Sequence, residues 1–284
     1  MGRLAALTAA VALTALPLRA DVAEVLDGHI LPGIAGFAAA ADALADAAAA
    51  DCSRAAVLPA YQAAFDAWAP VADLRMGPQE QAALTIAFWP DERGSGARTL
   101  AQLLATGSPA LTDPAAFAQT SAAARGLVAL DLLLGDPAFA YAAGDPGCRL
   151  VRTATADLAA QARALAAGWA VHADLLRHPG GPDNLAYLDR AEARSALYTQ
   201  ILAGLTVTTD TRLARPLGSL ERPRPTRAEA WRTLRPLPNV LASAHAAHAM
   251  ATLLAGQALP QSDAALAQVD RAAAAIADPA FQDI

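Results

Sequence analysis

Lysine is absent from this 284-residue chain; all 21 basic residues are arginine. That excludes a Schiff-base lysine and a Walker-type phosphate lysine outright. Positive charge is also in deficit. The formal net charge is −6, which argues against a general nucleic-acid binder, since such a protein needs a basic face. No His-Glu-x-x-His zinc motif and no Gly-x-Ser-x-Gly elbow occurs, so two common hydrolase signatures are missing. No strand pattern of useful length appears. Cysteine is limited to two residues, Cys52 and Cys148, and neither lies in a CxxC or a Cys/His cluster.

Apolar residues, by contrast, make up 55% of the chain. Much of that is alanine, which packs helices closely while burying little area per residue. At the N-terminus Arg3 precedes an apolar run from Leu4 to Leu18 that ends in Leu-Arg-Ala. This reads as a Sec signal peptide cut after Ala20; an ordinary first helix is the other reading. The run is short for a membrane span, and no cysteine follows it to carry a lipid. The expectation is export to the periplasm of a soluble protein with no stable membrane insertion. Two cysteines in an exported protein point to one disulfide, Cys52–Cys148.

Helical spacing dominates the rest. Val22, Leu26, Ile30, Ile34, Phe37, Ala41 and Leu44 mark a long first helix, which Pro32 should kink. Ser53 is an N-cap for the next helix, whose face is Val57, Tyr61, Phe65, Trp68 and Ala72. Pro70 bends its last turns and Gly77-Pro78 stops it. A helix opens at Thr112-Asp113-Pro114 and is expected to run to about Leu134. The clearest stripe is Leu150, Ala154, Leu158, Gln161, Leu165, Trp169, His172 and Leu176. Further helices are expected from about Leu185 to Val207, from Pro236 to Gly256 and from about Asp263 to Ile276. The pattern predicts an all-α protein of two helical bundles of about four helices each. The boundary falls near Cys148, giving bundles over 21–148 and 149–284.

One stretch breaks the alanine-leucine monotony: Tyr61 to Gly94, which holds two of the four tryptophans. Pro90 forces Trp89 out of the helical region and into a turn. Aromatics, arginine and aspartate in a turn suit a recognition site, and equally suit a helix-helix corner with Asp91 and Arg93 solvated. The Arg/Pro-rich stretch from Arg212 to Pro225 has the same two readings, a site element or a solvated loop.

The motifs fall in a telling order. Trp68 and Leu74-Arg75-Met76-Gly77-Pro78 come first, then Phe88-Trp89-Pro90-Asp91-Glu92-Arg93-Gly94. Arg125-Gly126-Leu127-Val128-Ala129-Leu130-Asp131 and Glu229-Ala230-Trp231-Arg232 follow. Together they resemble the imelysin family over nearly all of the mature chain. The Phe-Trp-Pro-Asp-x-Arg-Gly block is the most specific part. The resemblance implies an exported, two-domain all-helical protein with a site between the domains, linked to iron-regulated uptake loci. It implies a small ligand or a metal ion, iron or another divalent metal, and partners among the components of an iron-uptake system. The family name comes from a reported insulin-cleaving activity, so a periplasmic peptidase is the alternative.

Many imelysins carry a Gly-x-His-x-x-Glu motif thought to hold metal. The matching residues here are Gly126, Val128 and Asp131, so valine replaces the histidine and the carboxylate is shorter. Positions three apart share a helix face and can grip one ion together; valine cannot ligate. Other metal candidates are His245 and His248, three apart on one helix face, and His29 near the Pro32 kink. The bland reading of these histidines is packing at a helix interface. For ligand binding the candidates are Arg75, Trp89, Asp91, Arg93, Arg125, Asp131, Trp231 and Arg232. Arginines from separate helices converging on one cleft offer bidentate contacts to carboxylates; each alone could serve a structural ion pair.

Overall fold

The computed structural model describes residues 21–219 and 221–283. The expected signal peptide, residues 1–20, lies outside them. All regular structure among the described residues is helical; only two isolated bridges, Ala87 with Gly126 and Ser219 with Arg222, pair extended residues. The all-α expectation holds.

The first helix is continuous but changes pitch. A short α1 (Val22–Val25) passes through a π-helical turn (Leu26–Ile30) into α2 (Leu31–Ala50). The Leu31 N–H bonds the Leu26 carbonyl, five residues back. Pro32 has no N–H for the Gly28 carbonyl, and the wider turn takes up the missing bond. The span Val22–Ala50 is long and apolar enough to cross a membrane by length and composition. Its face of Ile34, Phe37, Ala41, Leu44 and Ala48 is buried in the core.

Ser53 caps α3 (Arg54–Trp68) by accepting from the Ala56 N–H. Val57, Tyr61, Phe65 and Trp68 are fully or almost fully buried, and the Trp68 ring packs on Phe37 at 4.9 Å between centroids. Burying a large apolar side chain is worth about 1.5–3 kcal/mol. Helix α3 stops at Trp68 and tightens into a 3-10 turn, Ala69–Val71, because Pro70 cannot donate to the Asp66 carbonyl. Then come α4 (Gln79–Ile86) and α5 (Ser95–Thr106).

The helix expected to run unbroken from Pro114 to Leu134 is interrupted. It forms α6 (Pro114–Ala118), a 3-10 turn (Ala122–Ala124) and α7 (Gly126–Gly135). Thr120 turns its hydroxyl back to the Phe117 carbonyl, and Ser121 caps the 3-10 turn through the Ala123 N–H. Both side chains compete with the helical ladder.

Helix α8 (Pro146–Arg177) carries the predicted stripe and packs along α2. Cys148 sits in its first turn. Residues on both sides of position 148 contribute to one buried cluster running from Val22 to Leu254. Helix α9 (Arg190–Thr206) begins later than expected: Asp189 caps it by accepting from the Glu192 N–H, and the Glu192 carboxylate accepts from the Leu188 N–H. It continues through a π-helical turn (Val207–Leu213) into α10 (Ala214–Leu217), so the Arg/Pro-rich stretch starts as helix rather than loop. Helix α11 (Pro236–Ala255) packs against α9, and α12 (Pro260–Ala274) packs on α11. The disulfide is present: Cys52 and Cys148 are bonded with α-carbons 5.4 Å apart. It ties the start of α3 to the start of α8.

Candidate functional site

Four segments meet at a cleft of about 310 Å³. The irregular corner after α4 supplies Trp89, Asp91 and Glu92. Helix α7 supplies Val128 and Asp131. Arg215 comes from α10, and the segment before α11 gives Arg227, Trp231 and Arg232.

The way α7 enters the cleft depends on Gly126. Its φ is +74°, and a β-carbon there would lie 2.1 Å from the Ile86 carbonyl oxygen. Only glycine fits this left-handed, close approach of α7 to the end of α4. The helix then points Val128 and Asp131 toward the cleft on adjacent turns. Opposite them, Trp231 starts a 3-10 turn (Trp231–Thr233) flanked by left-handed Ala230 (φ 46°) and Leu234 (φ 63°). Such conformations cost non-glycine residues about 1–3 kcal/mol each and need surrounding contacts to hold them.

Asp131 supplies several of those contacts. Its Oδ1 accepts from the Thr233 N–H at 2.9 Å and from the Thr233 hydroxyl at 2.7 Å. Arg232 lies 3.4 Å from Oδ2 and bonds Asp136 at 2.9 Å. The Arg232 guanidinium stacks over the Trp231 ring, 4.5 Å from its centroid, a cation–π contact. The Tyr61 hydroxyl, buried beneath, donates to the Leu127 carbonyl.

Asp131 is 1% exposed. Burial pushes its pKa up to about 6, against the opposing pull of Thr233 and Arg232. The sign follows: a carboxyl that holds its proton more tightly when folded loses stability as pH rises from about 4 to 6. Two pKa units correspond to about 3 kcal/mol. Asp131→Asn should flatten this part of the profile. The check is denaturant unfolding of both proteins at several pH values; parallel profiles would refute it.

Of the expected site residues, Trp89, Asp91, Asp131, Trp231 and Arg232 line this one cleft; Arg75, Arg93 and Arg125 do not. Arg125 pairs with Asp157 through two bonds, 3.0 and 2.7 Å, and also bonds the Ala118 carbonyl. It is a buried structural pair, the bland alternative. Arg93 is exposed, and its carbonyl accepts from Arg98. Arg75 lies behind Trp89, where its Nη1 bonds the Ala72 and Leu74 carbonyls. Asp91 lines the cleft but spends both oxygens on the Ser95 and Gly96 N–H groups, capping α5.

The histidines go elsewhere. His245 contacts Asp270, and His248 contacts Ser262 and Asp263, all between α11 and α12. His29 contacts the Pro70 carbonyl at 3.1 Å; burial lowers its pKa against that bond. None of the three lines the cleft with Asp131. Among the described residues no group of three or more His, Cys, Asp or Glu side chains is placed to share an ion. With Val128 at the histidine position and Asp131 engaged by Thr233, the motif positions do not fit a bare metal ion.

Sequence reasoning missed the polar joint behind the cleft. Arg212 bonds Glu229 at 2.9 Å and Asp73 at 2.7 Å, and Asn239 also donates to Glu229. Arg235 bonds Asn239, Gln62 and Asp66, and Gln62 donates to the Thr233 carbonyl. The available signal was Glu229 in the Glu-Ala-Trp-Arg motif; nothing local marked Arg212 among its arginine neighbours.

The family model described as Imelysin matches residues 30–284. The chain belongs to the imelysin family. The fold is also similar to the crystal structure of an imelysin-like protein from Psychrobacter arcticum 273-4, at a TM-score of 0.72. That match covers 94% of this chain and 88% of the other, at 18% identity. Among curated proteins, none matches. Within this imelysin, the Phe-Trp-Pro-Asp block builds the cleft wall and caps α5. The Arg-Gly pair divides its work between the Asp157 ion pair and the α7 entry.

Proposed function

We propose that this imelysin is an exported binding protein serving iron acquisition, and that it holds a carboxylate-bearing ligand in the Trp89–Trp231 cleft. The observation that carries this reading is the convergence of two tryptophans and Arg227 on one cleft; Arg215 and Arg232 also line it but are paired with Glu92 and with Asp131 and Asp136, so Arg227, in no ion pair among the described residues, is the fork left for a ligand. The two indoles offer stacking faces within a mostly polar lining, and a guanidinium fork suits a carboxylate. The apolar N-terminal run and the Cys52–Cys148 bond support export. Because the motif positions do not fit a bare ion, iron would arrive as a chelate that brings its own donor atoms. Among the described residues that line the cleft, no nucleophile is hydrogen-bonded to a base, so the peptidase reading has less support.

The test is titration of ferric citrate and of citrate into the wild type, Arg227→Ala and Trp231→Ala, followed by calorimetry. Arg227 is exposed and can be lost without opening the core. Saturable binding to the wild type, weakened about tenfold or more in both variants, is the expected result, each factor of ten being about 1.4 kcal/mol. No binding to the wild type, or equal binding to all three proteins, overturns the proposal. Cleavage of peptides by the wild type that Trp231→Ala abolishes would favour the peptidase instead.

A further inference from the structure

Six charged side chains line the cleft, and they balance: Asp91, Glu92 and Asp131 against Arg215, Arg227 and Arg232. Their commitments differ. Asp91 is spent on the Ser95 and Gly96 N–H groups, and Asp131 on Thr233. Arg232 is divided between Asp131 and Asp136. Glu92 has one partner among the described residues, Arg215 at 2.8 Å, and its side chain is 68% exposed. The hydrogen bond and the charge of Arg215 hold the Glu92 carboxyl below the usual carboxylate range, and Arg227 and Arg93 add to the pull.

Arg215 and Arg227 stand on two limbs of one chain reversal. Arg215 lies in α10; the Arg224 N–H then bonds back to the Pro216 carbonyl at 2.8 Å, and a 3-10 turn (Pro225–Arg227) packs against α10. Both guanidiniums therefore line the same cleft, and the Glu92 carboxylate sits in the field of both. An exposed ion pair contributes little and competes with water throughout. Glu92 can leave Arg215 for solvent, and a carboxylate from a ligand can take its place without changing the charge at that fork.

We propose that Glu92 stands in for a ligand carboxylate, and that the cleft takes a ligand with two of them: one meets Arg227 and the other displaces Glu92 from Arg215. This rests on the reading of the cleft as a carboxylate site and narrows its ligand class. Two forks on separate elements reward a ligand whose acid groups are spaced to reach both, because the second contact is then intramolecular. A ligand with one carboxylate is served by Arg227 alone and gains nothing from evicting Glu92.

Glutarate and its monoamide, glutaramate, differ only in the second carboxylate. Calorimetric titration of both into the wild type and Glu92→Gln tests the proposal; glutamine keeps the shape of an exposed side chain and removes its charge. Glutarate should bind Glu92→Gln about two- to fivefold more tightly than the wild type, the range that an exposed ion pair sets. Glutaramate should gain much less. Equal affinity of glutarate for the two proteins, or no binding by either, overturns the proposal. An equal gain for both ligands overturns it as well, because that is the mark of a distant field rather than of competition at Arg215. In Arg215→Met the preference for glutarate over glutaramate should disappear; a preference unchanged in the folded variant places the second carboxylate elsewhere and overturns the proposal too. If Arg227 holds a single carboxylate, the citrate titrations above succeed while these fail, so the two readings are separable.

Discussion

Replacing Arg212 by methionine should lower folding stability by about 3–5 kcal/mol, the usual cost of breaking a buried ion pair from one side. Arg212 is 5% exposed and stands between Asp73 and Glu229, themselves largely buried. Burial works against its charge, but the two carboxylates and their hydrogen bonds outweigh it and raise its pKa. Methionine matches the length of the stem and removes the compensating charge. Two carboxylates are then left in a joint that also holds Asn239. Arg212→Lys should recover only part of the stability, since an ammonium lacks the planar fork that serves two carboxylates at once. Denaturant unfolding of the wild type and both variants at neutral pH reads both effects. A deficit below about 1 kcal/mol would show that the joint is solvent-relaxed rather than buried.

Removing the Cys52–Cys148 bond should cost about 4.7 kcal/mol in the chain-entropy model, because it closes a loop of 96 residues. Both cysteines are buried, so the clean comparison is the double variant Cys52→Ala/Cys148→Ala rather than added reductant. The bond fastens the first turn of α8 to the entry of α3, two helices that both pack on α2. Its loss acts mainly on the unfolded chain and should leave the helix content of the native state unchanged. Circular dichroism would show the same spectrum with an earlier unfolding midpoint. A midpoint unchanged between the two proteins would mean that the denatured state is already compact across this loop.

Much of the fold was legible because helical periodicity is a local property. The stripe from Leu150 to Leu176 reads directly as the buried face of α8, and Val57, Tyr61, Phe65 and Trp68 as that of α3. Proline positions were legible for the same reason: Pro32 and Pro70 each remove one donor, and the chain answers with a π turn and a 3-10 turn. The break between α6 and α7 was less legible. Thr120 and Ser121 mark it locally, but the entry of α7 also rests on a non-local approach of Gly126 to the Ile86 carbonyl.

The candidate site divides along the same line. The sequence by itself determined the helical class, the cysteine pair, the family and five of the residues that line the cleft. It could not distinguish a cleft arginine from a structural one, because an arginine's role depends on which carboxylate the fold brings to it. Tertiary structure took Arg125 to Asp157 and spent Asp91 on the α5 N-terminus. It also buried Arg212 between residues 139 positions away and 17 positions away in the chain. Charge pairing across such separations leaves no periodic trace in the sequence; it exists only once the helices have packed.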